Sequence, residues 1–144
     1  MNYCDFITPN DEGIAAASDS ASIQNAIAKA KEIGCDKVVI PRYNKRTASF
    51  TWIIEETVKL PSDITLVLDN CHLMMADHTF CNMITNENCG TKLGKTQAGR
   101  QKNIIIEGRG RAVLDGGTYN GLAEDNYNKE TGPYPTDNCT LVMT

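Results

Sequence analysis

Asp63-Ile64-Thr65-Leu66-Val67-Leu68, Asn103-Ile104-Ile105-Ile106 and Asn138-Cys139-Thr140-Leu141-Val142-Met143 repeat one pattern: a short polar residue ahead of a β-rich apolar run. In the first two copies a second apolar stretch follows, Cys71-His72-Leu73-Met74 and then Ala112-Val113-Leu114. Ile64 to Leu73 is the same nine-residue step as Ile104 to Val113. Strand–turn–strand units recurring at intervals of several tens of residues indicate stacked coils, each burying its apolar face only against its neighbours. The spacing predicts a mainly β chain that opens a β-solenoid. Its third copy falls at residues 138–143, with no room to close another coil.

Ahead of these repeats, Asp19 or Ser20 is a plausible N-cap for a helix over about Ser20–Ile33. Ile23, Ala26, Ile27, Ala30 and Ile33 share one face, Gln24, Lys29, Lys31 and Glu32 the other, and Gly34 stops it. One amphipathic helix before many strands suits the capping of an open β end, which otherwise exposes apolar side chains and unpaired backbone. Strands are expected at Lys37–Ile40, at Ser49–Glu55 with Phe50, Trp52 and Ile54 in alternation, and at Val58–Leu60. Further ones follow at Ile64–Leu68, His72–Met75, Asn82–Ile84, Ile104–Glu107 and Ala112–Leu114. Polar, Gly-containing loops separate them over 86–102 and 116–137.

A chain of 144 residues suits one domain, able to bury roughly 68–70% of its unfolded surface. It is read as a single unit over 1–144, with the lead and cap helix at 1–34 and the opening coils at 35–144. Net charge −4 gives no reason to expect nucleic acid. Arg100, Lys102, Arg109 and Arg111 form a local basic cluster, read as a solvated edge. No apolar run approaches a membrane span, and the first residues have neither a basic nor an apolar signal region. A cytoplasmic location is therefore expected. The six cysteines, Cys4, Cys35, Cys71, Cys81, Cys89 and Cys139, form no Cys-x-x-Cys pair and read as reduced thiols. His72 and His78 do not complete a zinc set and default to structural roles, so no metal and no cofactor are expected.

A family resemblance rests on motifs that keep their order along nearly the whole chain. Asp5-Phe6, Ser22-Ile23-Gln24-Asn25-Ala26-Ile27, Val38-Val39-Ile40-Pro41, Leu60-Pro61-Ser62-Asp63-Ile64-Thr65-Leu66, and Asn103 to Gly110 followed by Leu114-Asp115-Gly116-Gly117 carry it. Together they resemble the N-terminal part of pectin-lyase-like right-handed parallel β-helix proteins, especially the polygalacturonase-like glycoside hydrolases. Ile7-Thr8 departs from the family's Gly-Ala after Asp-Phe. The resemblance implies a right-handed parallel β-helix with an N-terminal capping helix, and a poly- or oligosaccharide as partner. It also implies that the family's paired catalytic carboxylates, on later coils, have no counterpart here, so that the 144-residue chain alone is inactive. Inverting hydrolysis needs an acid and a base about 6.5–9.5 Å apart.

Asp115, before Gly116-Gly117, is the weak catalytic candidate, set against a plain turn role at a coil corner. Tyr119, Asn120, Asp125, Tyr127 and Tyr134, in the loop beyond it, are the substrate-binding candidates, because aromatic rings stack on sugars while amides and carboxylates bond hydroxyls. Gly90-Thr91-Lys92-Leu93-Gly94-Lys95-Thr96 imitates a phosphate loop with one residue too few between its glycines. Two other classes stay open: a non-catalytic structural or glycan-binding protein such as a phage tailspike or tail-fibre segment, located on the virion, and a polysaccharide lyase. An open final coil, with Leu141 and Met143 at its edge, is expected to favour self-association.

Overall fold

The computed structural model describes residues 5–79 and 81–118, together with the backbone of residues 127–128, 132–133 and 141–142. Among the described residues one α-helix, α1 (Asp19–Ile33), precedes eleven short strands. These are β1 (Lys37–Ile40), β2 (Trp52–Ile54), β3 (Val58–Leu60), β4 (Ile64–Asp69), β5 (His72–Met75) and β6 (Ile84–Asn86). Then come β7 (Ile104–Arg109), β8 (Val113–Asp115), β9 (Tyr127–Asn128), β10 (Gly132–Pro133) and β11 (Leu141–Val142). Nearly every strand start expected from the sequence lies within two residues of the observed one.

The strands fall into three separate parallel sheets of three, ordered β1-β4-β7, β2-β5-β8 and β3-β6-β11, plus an antiparallel pair, β9 with β10. This corrects the right-handed parallel β-helix: the described residues make short parallel sheets and one helix, and they close no solenoid. The physical reason lies in the connections. Strands of two to six residues are joined through the long excursion between β6 and β7, and the antiparallel pair breaks the one-way run that a solenoid requires. The third signature copy is corrected as well. Its strand, Leu141–Val142, pairs with Ile84–Thr85 of β6 and not with β7.

Within this framework the polar residue that opens each run has a stereochemical task. Asp63 and Asn103 hold φ of 58° and 56°, in the left-handed region that Asp and Asn tolerate better than most residues. Their side chains stack, with Asn103 Nδ2 donating to Asp63 Oδ1 at 2.8 Å, and Ile64 then pairs with Ile104. The repeated Asx signature is thus a turn device that starts β4 and β7 in register.

Ser18 caps α1, its Oγ accepting from the Ala21 N–H at 3.2 Å, and Gly34 ends it at φ 76°. Ile23, Ala26, Ile27 and Ala30 are buried against the core, but Ile33, placed on the same face by its spacing, is exposed in the last turn. The helix contacts β1, β2 and β3, which are the first strands of the three sheets. The core beneath it joins Trp52, Ile54, Leu60, Leu66, Leu73 and Ile84. Burying each such aliphatic side chain is worth about 1.5–3 kcal/mol. Trp52, at 1% exposure, satisfies its indole N–H on the Pro41 carbonyl at 2.8 Å.

Candidate functional site

The site begins with a counting difference at a corner. Asp69 of β4 pairs with Arg109 of β7, and His72 of β5 pairs with Val113 of β8. Three steps along one chain therefore match four along the other, so the repeat is nine residues in one layer and ten in the next. The additional residue is taken up around Gly110 and Arg111. Asn70, itself at φ 50°, accepts the Arg111 N–H on its Oδ1 at 3.1 Å. Gly110, at φ 60°, lies so close to Asn70 that a β-carbon there would sit 2.0 Å from Asn70 Oδ1, which only glycine avoids.

The consequence is a change of face. Side chains alternate along a strand, so a one-residue slip turns an inward position outward. Leu114, not Val113, takes the place beside Leu73 and packs against the core. Asp115 then emerges on the outer side next to His72, and its Oδ2 lies 2.9 Å from His72 Nε2. The other carboxylate oxygen, Oδ1, accepts the Gly117 N–H at 2.9 Å. That backbone donor first, and the His72 bond second, hold the Asp115 carboxyl below its usual range. The turn role weighed for Asp115 and a place in a cleft are both realised, by different oxygens of one side chain.

The opposite wall comes from the loop between β1 and β2. Phe50 was expected to alternate with Trp52 and Ile54 inside a strand, yet the strand begins at Trp52 and Phe50 is 58% exposed. Hydrogen bonds explain the departure. Asn44 and Ser49 exchange backbone bonds at 2.8 and 3.2 Å, and the buried Asn44 side chain donates to the Thr51 carbonyl, so the chain turns back before β2. Asn10 fastens the same loop at the Tyr43 carbonyl and the Lys45 N–H. Arg46 ties it to Asp19 through a 2.9 Å ion pair. On this frame the Arg42 guanidinium lies 4.7 Å from the Phe50 ring centroid, and Tyr43 meets the ring edge-on at 5.8 Å.

Between these walls lies an open cleft of about 790 Å³, lined by Arg42, Phe50, Asp69, His72, Arg111 and Asp115 among others. Cys71 faces it at the corner but is buried, and desolvation by that burial pushes its thiol up to about 12. It is a packing group and not a nucleophile. His72, assigned by default to structure, belongs to the cleft. The signal for it was its phase, since it alternates out of step with the buried Leu73 and Met75.

Tyr119, Asn120, Asp125 and Tyr134 lie outside the described residues, and of Tyr127 only the backbone in β9 is described. Among the described residues no three metal-ligating side chains come together, and no helix is long and apolar enough to cross a membrane. The phosphate-loop imitation folds as turns around a short 3-10 helix, Leu93–Lys95, with none of its residues buried. The basic cluster is dispersed: Arg109 pairs with Glu107 at 3.6 Å, whereas Arg111 lines the cleft. Cys35, Cys71, Cys81 and Cys89 are thiols, and Cys4 and Cys139 lie outside the described residues. Comparison of the chain with known protein families, with curated proteins and with solved structures finds no match.

Proposed function

We propose that this chain supplies a poly- or oligosaccharide-binding cleft to a carbohydrate-active protein of the glycoside hydrolase kind. The observation that carries the reading is one cleft combining an exposed aromatic ring, Phe50, with closely spaced donors and acceptors from Arg42, Asp69, His72, Arg111 and Asp115. A sugar ring offers an apolar face that packs on an aromatic ring and a rim of hydroxyls that both donate and accept. The order of motifs resembling polygalacturonase-like proteins supports the same class.

A second reading, glycan binding without cleavage, is favoured because Asp115 is in a state that suits a hydroxyl acceptor or a base but not the general acid that cleavage also needs. A general acid must carry a proton when the glycosidic bond breaks. Asp115 is held ionised by Gly117 and His72, so it suits the acceptance of a sugar hydroxyl and not the protonation of a leaving group.

Titration of the chain with a panel of oligosaccharides, followed by amide chemical-shift changes, tests the binding. Shifts are expected at Phe50, His72 and Asp115, with Phe50→Ala weakening binding about tenfold, or about 1.4 kcal/mol. Absence of binding to every saccharide, or shifts confined to another surface, overturns the proposal. A reducing-sugar assay separates the two readings: no release of ends is expected from this chain. Turnover abolished by Asp115→Ala defeats the non-catalytic one.

A further inference from the structure

We infer that the cleft selects an uncharged glycan, recognising it through hydroxyls that bridge neighbouring guanidinium and carboxylate groups. This inference rests on the saccharide reading above and specifies the ligand of the same cleft.

The argument starts from charge. The lining carries two guanidiniums, Arg42 and Arg111, balanced by two carboxylates, Asp69 and Asp115. The chain as a whole is at −4. Guanidiniums balanced by carboxylates give the lining itself no preference for either sign. At close range, an anionic sugar that reaches Arg111 also comes up against Asp69 and Asp115, and a cationic one meets both arginines.

The two carboxylates are held in place within this lining. Asn70 holds the Asp69 carboxylate and the backbone of Arg111 at the corner, donating from Nδ2 to Asp69 Oδ1 at 3.0 Å and accepting the Arg111 backbone N–H on Oδ1. Asp115 is fastened at both oxygens, by Gly117 and by His72. Arg42 places its guanidinium carbon 4.7 Å from the Phe50 ring centroid and carries five N–H donors. A hydroxyl can accept from a guanidinium and donate to a carboxylate in the same contact. A carboxylate or sulfate can only accept, and leaves the Asp oxygens facing it without donors.

The test titrates the full 144-residue chain with length-matched neutral and uronate-containing oligosaccharides at pH 7.5, at low and at high NaCl. Neutral oligosaccharides are expected to bind about tenfold more tightly than uronates, with little dependence on salt. Asp69→Asn is expected to raise uronate affinity and to change neutral binding less. Uronates binding as tightly as neutral sugars, or tighter and weakened by salt, overturn the inference while leaving the saccharide reading intact. Binding of neither kind overturns the saccharide reading, and this inference with it.

Discussion

Along the β1–β2–β3 edge, α1 and the lead segment meet the outermost backbone groups one by one. Gln24 closes Lys59 of β3 at both ends, accepting its N–H and donating to its carbonyl, each at 2.9 Å. Asp19 accepts the Ile53 N–H of β2 at 2.8 Å, Ser20 accepts from Glu55 and Glu56, and Ile7 bonds Lys37 and Val39 beside β1. Along the opposite edge, β7 and β8 have no further strand among the described residues. There Ile105 is 54% exposed, and Ile104, Ile106 and Leu114 are only partly buried. The difference teaches how a sheet edge is finished. Side chains of a helix can act as a substitute strand, provided that amide, hydroxyl and carboxylate groups fall opposite the free backbone groups.

The sharpest break of this contrast is Trp52→Ala. It removes a buried ring and a satisfied indole bond beneath the helix, and a loss of about 3–5 kcal/mol in urea unfolding is expected. Asp19→Ala comes next. With Asp19 only 1% exposed, it orphans the Ile53 N–H and leaves Arg46 without its ion pair, for an expected loss of about 2–3 kcal/mol. Gln24→Ala is expected to cost about 1 kcal/mol, since water reaches the exposed Lys59 groups. On the other edge, Ile105→Lys should change stability by less than about 0.5 kcal/mol while reducing concentration-dependent light scattering. A large loss from Ile105→Lys, or none from Gln24→Ala, would erase the distinction between the two edges.

The smallest effects concern protons. The Cys71 thiol is raised to about 12 in the folded chain, so the folded state keeps its proton where the unfolded state gives it up. The stability it contributes is present below the ordinary thiol range of about 9 and is lost as pH rises from there toward about 12. Cys71→Ser should flatten that part of the unfolding profile. Asp115 has the opposite sign. Its depressed folded value gives a contribution present above the ordinary 3.8 and lost as pH falls through the lower folded value. His72→Ala should diminish this acid-side slope, because the Gly117 donor then holds Asp115 without the His72 bond.

Local signals in the sequence are legible where they answer to local physics. The helix ends at Gly34 because the chain must turn left-handed there, and the β4 and β7 runs begin behind Asp63 and Asn103 for the same reason. Pro41 and Pro61 mark strand ends because proline has no N–H to continue a ladder. The cleft was legible only in part. Asp115 stands out by its Gly-Gly neighbour and His72 by its outward phase in β5, but Arg42, Phe50 and Arg111 carry no local mark of a shared site.

By itself, then, the sequence determined most strand starts and the helix with its Gly34 stop, since each depends on backbone conformation or periodicity within a few residues, whereas the N-cap is Ser18 and not the expected Asp19 or Ser20. Tertiary structure alone decided that Gly110 and Arg111 absorb an additional residue against Asn70, so that Asp115 turns outward to His72. It likewise decided that Phe50 leaves the strand, and that Leu141–Val142 joins β6 rather than β7. In a strand the two faces differ by a single residue, and which face is inward is fixed by a partner some forty positions away. No pattern read along one strand contains that information.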